Sequence, residues 1–251
     1  MKALTSITMT AIRELLYERV FYILIAFSAV ALVLSYLLGQ LTYTEQNKLT
    51  LDFMLGGIEL SMVLFSIFMG ISLFQRELVL GTVALVLSKP ISRGTFLIGK
   101  FLGQLVVQMA LIACMSVLAY AMGGAQVGTA AVFQFFIATA LKISILTSIT
   151  YLFAVNTGAI ISALGTFLLY TLGHLIENVT LSIKDPEQIV LWKWIQFFVP
   201  SFESLNLKNL VSYNVLIPWH EVGVLMVYGL FMTGIYLSLA VFCFNERDIP
   251  T

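Results

Sequence analysis

Charged residues are scarce in this chain. Only 10% of its 251 residues are Asp, Glu, Lys or Arg, whereas 60% are hydrophobic. Soluble domains carry roughly 25% charged residues, which give them a polar surface. The mean hydropathy of +0.99 therefore excludes an ordinary soluble domain and places apolar surface against lipid or partner helices. The formal net charge of zero gives no indication of nucleic acid as a partner.

Cysteine and histidine are scarce as well. Cys114 and Cys243 both lie in apolar runs and are interpreted as small membrane residues, not as a disulfide or a metal pair. His174 and Glu177 stand three apart and could begin a metal site, but zinc takes three or four protein ligands. The favoured interpretation is a polar pair that caps a helix at the membrane interface. The sequence also lacks GxSxG and HExxH motifs, so it predicts no catalytic residues, no metal and no enzymatic activity.

Long apolar runs are abundant. A spanning helix needs about 20 mostly apolar residues, and six segments come close to that length or exceed it. They are residues 20–41, 57–74, 96–122, 132–155, 158–176 and 222–244. Residues 3–19 place apolar side chains at helical spacing, which predicts an amphipathic helix in the membrane interface; an early start of the first span is the alternative. The predicted fold is an all-α polytopic membrane domain with six transmembrane helices.

The distribution of Lys and Arg predicts the orientation of the chain. With the N-terminus inside, the cytoplasmic segments hold eight of the 13 Lys and Arg residues and the external segments hold four. Cytoplasmic loops carry the excess of positive charge, so both termini are expected in the cytoplasm. Residues 78–87 are too short to span a membrane and predict a short cytoplasmic helix that ends at Pro90. Residues 177–221 hold all three tryptophans and predict short external helices at the interface.

Lys142 is the one remaining Lys or Arg residue, and it lies within the fourth predicted span. A charge near the middle of the bilayer is costly and usually faces a cavity or a partner. Lys142 is therefore a candidate for a transport pathway or a dimer seam. The alternative is a shifted or tilted helix from which the lysine reaches the interface.

Residues 94–100 come close to a phosphate-binding loop, with Gly94, Gly99 and Lys100 at the required spacing. Phe101 stands where a Ser or Thr hydroxyl should reach Mg²⁺, and the segment enters a predicted membrane helix rather than following a strand. Nucleotide binding by this chain is therefore not expected. Gly99 and Gly103 instead predict close helix packing, which small residues permit, with Lys100 extending to the inner interface.

A sequence pattern lies between the second and third predicted spans. It consists of Glu77, then Gly81-Thr82, then Leu87-Ser88-Lys89-Pro90-Ile91-Ser92-Arg93, and then Leu97-Ile98-Gly99-Lys100. Together with the six spans, it resembles the permease subunits of ABC-2 type ATP-binding-cassette transporters. The branch to which it is similar contains permeases of multi-copper enzyme maturation, including the one that serves nitrous oxide reductase. Shorter similarities are YTLGH at 170–174, PSFESLNL at 200–207 and the ending FNERD at 244–248.

The resemblance implies a coupling helix after the second span that fits a groove on a separate ATPase subunit. The coupling residues would be Arg76, Glu77, Gly81, Thr82, Lys89, Pro90, Ser92 and Arg93. It also implies a second permease copy, in a homodimer or a heterodimer, and it leaves room for a periplasmic accessory protein. ATP and Mg would bind the partner ATPase, so this chain would hold no cofactor. The expected location is the bacterial cytoplasmic (inner) membrane.

The expected function is thus that of a permease subunit whose substrate movement, in the direction of export, is driven by a separate ATPase. One alternative is a secondary transporter or channel that works alone, for which inverted repeats and ionisable residues in several spans are expected. In the sequence only Lys142 points that way. A membrane assembly factor that transports nothing is another alternative.

Overall fold

The computed structural model describes residues 2–41, 46–79, 92–123, 128–182, 199–212 and 215–247. These residues contain no strand; most of them are helical, and 199–207 and 215–218 are irregular. The helices are α1 (Lys2–Tyr17), α2 (Arg19–Gln40), α3 (Gln46–Val79), α4 (Arg93–Gly123), α5 (Thr129–Asn156), α6 (Ala159–Ser182), α7 (Lys208–Ser212) and α8 (Trp219–Glu246). The prediction of an all-α fold is confirmed for this part of the chain.

Six helices are long and apolar enough to cross a membrane, as the sequence predicts. They are Arg19–Gln40, Leu49–Gln75, Arg93–Ala121, Thr129–Asn156, Ala159–Ile176 and Trp219–Glu246. The second span begins earlier than the predicted residue 57, because Leu51, Met54 and Leu55 extend the buried apolar face of α3 toward its N-terminus. This earlier start places Glu59 well inside the span, with consequences described below.

The N-terminal helix is separate from the first span, as predicted. Glu18 has an extended backbone (φ −74°, ψ 131°) and divides α1 from α2. Helix α1 packs across the start of α4, where a Cβ on Gly99 would lie 2.7 Å from Ile7 Cγ2 and one on Gly103 would lie 2.6 Å from Ala11 Cβ. Only glycine allows this approach, so the prediction of close packing at these glycines is confirmed and α1 is the partner helix.

Helix α5 lies at the centre of the bundle and contacts α3, α4, α6, α7 and α8. Two of its hydroxyl groups bond within the helix: Ser144 Oγ donates to the Ala140 carbonyl at 2.7 Å and Thr150 Oγ1 to the Leu146 carbonyl at 2.9 Å. These bonds satisfy polar groups that have no access to water. Helices α3 and α8 approach α5 closely at Gly70 and Gly229, where a Cβ would come within 2.9 Å of a side-chain atom of α5.

The outer helices expose apolar side chains, as expected of surfaces that face lipid. In α6, Ile160, Leu164 and Leu168 are each more than half exposed, and in α8 Val227 and Phe231 are as well. The bundle has two ends that are used below. The Arg93 end is where α3 and α5 finish and α4 begins. The Glu203 end is where residues 199–207 and α7 lie.

Candidate functional site

At the Arg93 end, the last described side chain of α3 is fixed to the end of α5. Gln75 Nε2 donates to the carbonyl of Ala154 at 3.0 Å and to that of Thr157 at 2.6 Å. The Ala154 carbonyl lies in the last turn of α5, where carbonyls lack partners within the helix, and Thr157 is the residue that follows the helix. The direction of α3 is thereby tied to the position at which α5 ends.

Arg93 fixes the start of α4 to the end of α8. Its Nη1 donates to the carbonyls of Phe244, Asn245 and Arg247 at 3.2, 3.1 and 2.7 Å. Arg247 Nη1 in turn donates to the carbonyl of Val155 in α5. A cation at the C-terminal end of a helix is favourable because the unpaired carbonyls carry partial negative charge. Four helix ends are joined through Gln75, Arg93 and Arg247.

Ser92 begins α4 as an N-cap. The backbone N–H of Thr95 donates to Ser92 Oγ at 3.2 Å, and the two side-chain oxygens lie 2.7 Å apart. A serine that accepts from the third residue of the helix is the common N-cap arrangement. This local contact starts α4 at Arg93 and so places the guanidinium over the end of α8.

The predicted coupling residues are therefore only partly observed. Ser92 and Arg93 are described, and both serve as contacts at helix ends. Arg76 and Glu77 belong to α3, but their side chains lie outside the described residues. Residues Gly81, Thr82, Lys89 and Pro90 also lie outside the described residues, together with the predicted short helix at 78–87 beyond Val79. The assignment of these residues to an ATPase interface stays a prediction.

Lys100 reaches the N-terminal helix α1, and its extension to the inner interface stays a prediction. Its side chain is only 3% exposed and its ammonium donates to a carboxylate oxygen of Glu14 on α1. The ammonium also lies 5.7 Å from the centre of the Phe96 ring. A buried ammonium needs a partner, and α1 supplies it. The contact adds an ion pair to the glycine packing between α1 and α4.

Lys142 is the centre of a second site, toward the Glu203 end. The residue is 2% exposed and its Nζ lies 2.5 Å from Glu59 Oε1. The alternative in which Lys142 reaches the interface is therefore wrong, because the side chain ends inside the bundle on a carboxylate of α3. Whether the residue faces a pathway or a dimer seam stays a prediction.

Glu59 lies well inside its span. It lies ten residues after Leu49, the start of the span, which is about 15 Å along the helix at 1.5 Å per residue. The residue is only 8% exposed. Besides Lys142, it accepts a hydrogen bond from Tyr170 Oη of α6 at 3.2 Å. An ionisable contact thus joins three spans, α3, α5 and α6.

His174 extends the contact toward the Glu203 end. Its Nδ1 lies 2.9 Å from Glu203 Oε2, and its Nε2 lies 3.7 Å from Glu59 Oε1. Its described partners come from α3 and from residues 199–207, and the expected pairing of His174 with Glu177 at the end of α6 stays a prediction. The side chain of Glu177 lies outside the described residues.

Glu203 reaches His174 because residue 173 is glycine. A Cβ at Gly173 would lie 2.4 Å from the carbonyl oxygen of Pro200, and the Phe202 N–H donates to the Gly173 carbonyl at 3.1 Å. Asn206 Nδ2 holds the Glu203 carboxylate at 3.2 and 3.3 Å. Partial burial would raise the pKa of Glu203, but the hydrogen bonds with His174 and Asn206 outweigh it, and the pKa lies below its ordinary value.

A cavity of about 370 Å³ opens beside these groups. Its lining residues are Gly56, Glu59, Leu60, Tyr170, His174, Glu203, Asn206 and Lys208. Two carboxylates, an imidazole and an ammonium therefore face one space. That volume holds several water molecules or one small polar ligand. Within the described part of the chain, no three His, Cys, Asp or Glu side chains are grouped as metal ligands.

Sequence reasoning singled out Lys142 but missed its partners. The available signal was a second charge of opposite sign in another predicted span: Glu59 lies in 57–74 just as Lys142 lies in 132–155. Two opposite charges in apolar helices have a strong reason to meet. Glu203 gave no such signal, because it lies in an irregular segment whose position depends on Gly173.

A comparison of the chain with protein-family models finds no match, and a comparison with curated proteins finds no significant match either.

Proposed function

We propose that the chain is the membrane-embedded permease subunit of an ABC-2 type transporter, driven by a separate ATPase that docks at the Arg93 end. The observation that supports this most is the way both flanks of the 76–92 segment are fixed. Gln75, before the segment, holds the end of α5, and Arg93, after it, holds the end of α8. A force applied to this segment would reach four helix ends at once.

Such an arrangement suits a coupling element. Packed helices move as bodies with small shifts and rotations rather than by bending. A motor that pulls on the segment between α3 and α4 needs fixed connections to move α5 and α8 with it, and the hydrogen bonds from Gln75, Arg93 and Arg247 provide them. The orientation expected from the Lys and Arg distribution places this end in the cytoplasm, where ATP is available.

The remaining expectations belong to the same proposal. Two copies of the permease, identical or similar, would form the transport path, with the Glu203 end on the outer side of a bacterial inner membrane. Export is the proposed direction. This chain would bind no nucleotide and catalyse no reaction.

A second candidate function is a secondary transporter that works without an ATPase. One observation favours it: Glu59, Lys142 and His174 come from three different spans and meet inside the bundle. Buried ionisable groups in membrane helices commonly mark substrate or ion pathways. The cluster is compatible with an ABC permease as well, so the presence of an ATPase decides between the two.

The deciding experiment is purification of the tagged chain from its native membrane in mild detergent, with identification of the proteins that accompany it. A stoichiometric ATPase is the expected result. Recovery of the intact chain without any ATPase would contradict the proposal and favour the secondary transporter.

The coupling itself is tested by comparing Arg93→Gln with Arg13→Gln in the purified complex. Arg13 is an exposed arginine of α1 and serves as the matched control. Arg93→Gln should leave the chain inserted but reduce the substrate moved per ATP hydrolysed, while Arg13→Gln should match the unchanged protein. Equal coupling in all three would contradict the role given to the Arg93 end.

A further inference from the structure

We propose that Glu203, His174, Glu59 and Lys142 form a proton relay, through which a proton from the cavity reaches a binding site inside the membrane at the Glu59–Lys142 pair. These four residues are called the relay. It requires only this chain and is independent of the ATPase assigned under the proposed function.

The contacts between the members of the relay are continuous. The contacts run from Glu203 Oε2 to His174 Nδ1 at 2.9 Å, from His174 Nε2 to Glu59 Oε1 at 3.7 Å, and from Glu59 Oε1 to Lys142 Nζ at 2.5 Å. Exposure falls along the same path, from a side chain of Glu203 that is 35% exposed to one of Lys142 that is 3% exposed. Every member of the relay can bind or release a proton.

The imidazole of His174 lies between two carboxylates. His174 presents each of its ring nitrogens to a different carboxylate, one at the mouth and one buried. A neutral imidazole accepts a proton on one nitrogen and can release another from the opposite nitrogen. A histidine placed only for packing has no reason to direct both nitrogens at carboxylates on separate elements.

The cavity gives water access to the relay. Glu203, His174 and Glu59 all line the 370 Å³ cavity, whereas Lys142 does not. Water in the cavity can therefore deliver a proton to the outer members of the relay. The only gap is the 3.7 Å separation between His174 and Glu59, which a movement of about 1 Å closes to hydrogen-bond distance.

A hydronium ion in the cavity protonates the Glu203 carboxylate and leaves water. Glu203 passes the proton to Nδ1 of neutral His174 in its Nε2–H tautomer, which gives an imidazolium. The imidazolium releases its Nε2 proton to the Glu59 carboxylate, which leaves the Nδ1–H tautomer of His174 and a neutral Glu59 carboxylic acid. One O–H bond of hydronium and the Nε2–H bond are broken, the Nδ1–H bond and the O–H bond of Glu59 are formed, and the net change is one proton moved from the cavity to Glu59; return of His174 to the Nε2–H tautomer resets the relay.

Protonation of Glu59 removes the ion pair with Lys142. A buried ammonium without its counter-charge is unfavourable, so Lys142 must find another partner or α3 and α5 must adjust. Among the described residues, the charged or titratable groups around His174 are Glu59 from α3, Lys142 from α5, Tyr170 from α6, Glu203 from residues 199–207 and Lys208 from α7. Proton binding is thereby linked to the contact between the helices at the centre of the bundle.

The test is infrared difference spectroscopy of the full chain in lipid nanodiscs after a pH jump from about 8 to about 5, a range in which histidine transfers protons readily. The signal is the carbonyl stretch of a protonated carboxylic acid. It is assigned to Glu59 by its loss in Glu59→Gln with Lys142→Met. Should that double variant not fold, the shift of the band in Tyr170→Phe makes the assignment, because Tyr170 donates to Glu59.

Wild type should show the Glu59 band, and His174→Gln should show the same band appearing about tenfold or more slowly, as expected when a proton-transfer group is removed. The matched control is His220→Gln, since the chain has two histidines and the side chain of His220 is 79% exposed. The control should be as fast as wild type. Absence of a Glu59 band in wild type, or equal rates in both histidine variants, would overturn the relay.

Discussion

Lys142 Nζ lies 2.5 Å from Glu59 Oε1, and this contact joins the two most buried spans of the bundle. The side chains of Lys142 and Glu59 are only 3% and 10% exposed, so each depends on the other to compensate its charge. Because truncation of one partner leaves an uncompensated buried charge, such pairs are fragile toward single substitutions and tolerant of double ones.

Lys142→Met should lower the free energy of unfolding by about 3–5 kcal/mol, the range for breaking a buried ion pair on one side. Lys142→Met combined with Glu59→Gln should recover most of that loss, because no charge then remains unpaired. The measurement is denaturant unfolding in detergent micelles of both single variants and the double variant. Additive losses in the double variant would show that the two residues do not depend on each other.

Gly103→Ala should destabilise the contact between α1 and α4 by about 1–3 kcal/mol, the typical cost of overpacking. The new Cβ would lie 2.6 Å from Ala11 Cβ and 2.9 Å from the Thr8 carbonyl oxygen, so α1 must move away. Gly234→Ala in α8 is the matched control, because nothing lies within 4 Å of its Cβ position. It should be neutral or stabilise by up to about 1 kcal/mol, since alanine restricts the unfolded chain. Thermal unfolding of both variants measures the difference.

Ser92→Ala should destabilise the start of α4 by about 1 kcal/mol through loss of the N-cap, whereas Ser92→Asp should retain the stability. Both substitutions alter the same exposed position, and only the second keeps an acceptor for the Thr95 N–H. Hydrogen exchange at the first amides of α4 is the measurement. Equal exchange in the two variants would argue against a capping role.

Glu203 should contribute stability that depends on pH. Its folded pKa lies below the ordinary value of 4.5, so the unfolded chain binds the proton more readily than the folded one. The contribution is therefore fully present above pH 4.5 and disappears as the pH falls through the lower folded pKa. The difference in the free energy of unfolding between wild type and Glu203→Gln should therefore decrease as the pH falls through that range. A constant difference across it would contradict the hydrogen-bonded state of the carboxylate.

Residues 170–174 and 200–207 meet in the structure, and the sequence predicted each segment but not their contact. Both segments stand out as patterns, but their meeting was not expected. Gly173 lets Pro200 and Phe202 pack on α6, and this places Glu203 against His174. A glycine within a predicted span gives no indication of which distant segment will occupy the space beside it.

Arg93, at the other end of the bundle, also makes a contact that the sequence did not predict. The sequence offered it as a basic residue for a partner protein, and that stays a prediction. The structure shows its guanidinium on the carbonyls of α8, 151 to 154 residues away in the chain. Proximity of two helix ends this far apart in sequence depends on how the helices pack, which the local pattern around Arg93 does not contain.

The sequence by itself determined that the described part of this chain is mainly helical and how many of its helices can cross a membrane, and it favoured a first helix separate from the first span. Those features depend on the length, apolarity and periodicity of local segments, because the bilayer requires every backbone polar group to be bonded within its own helix. The tertiary structure decided which helices are neighbours and therefore which charges meet. The pairing of Glu59 with Lys142 and His174 depends on the lateral order and rotation of α3, α5 and α6, and side-chain packing between distant segments sets both.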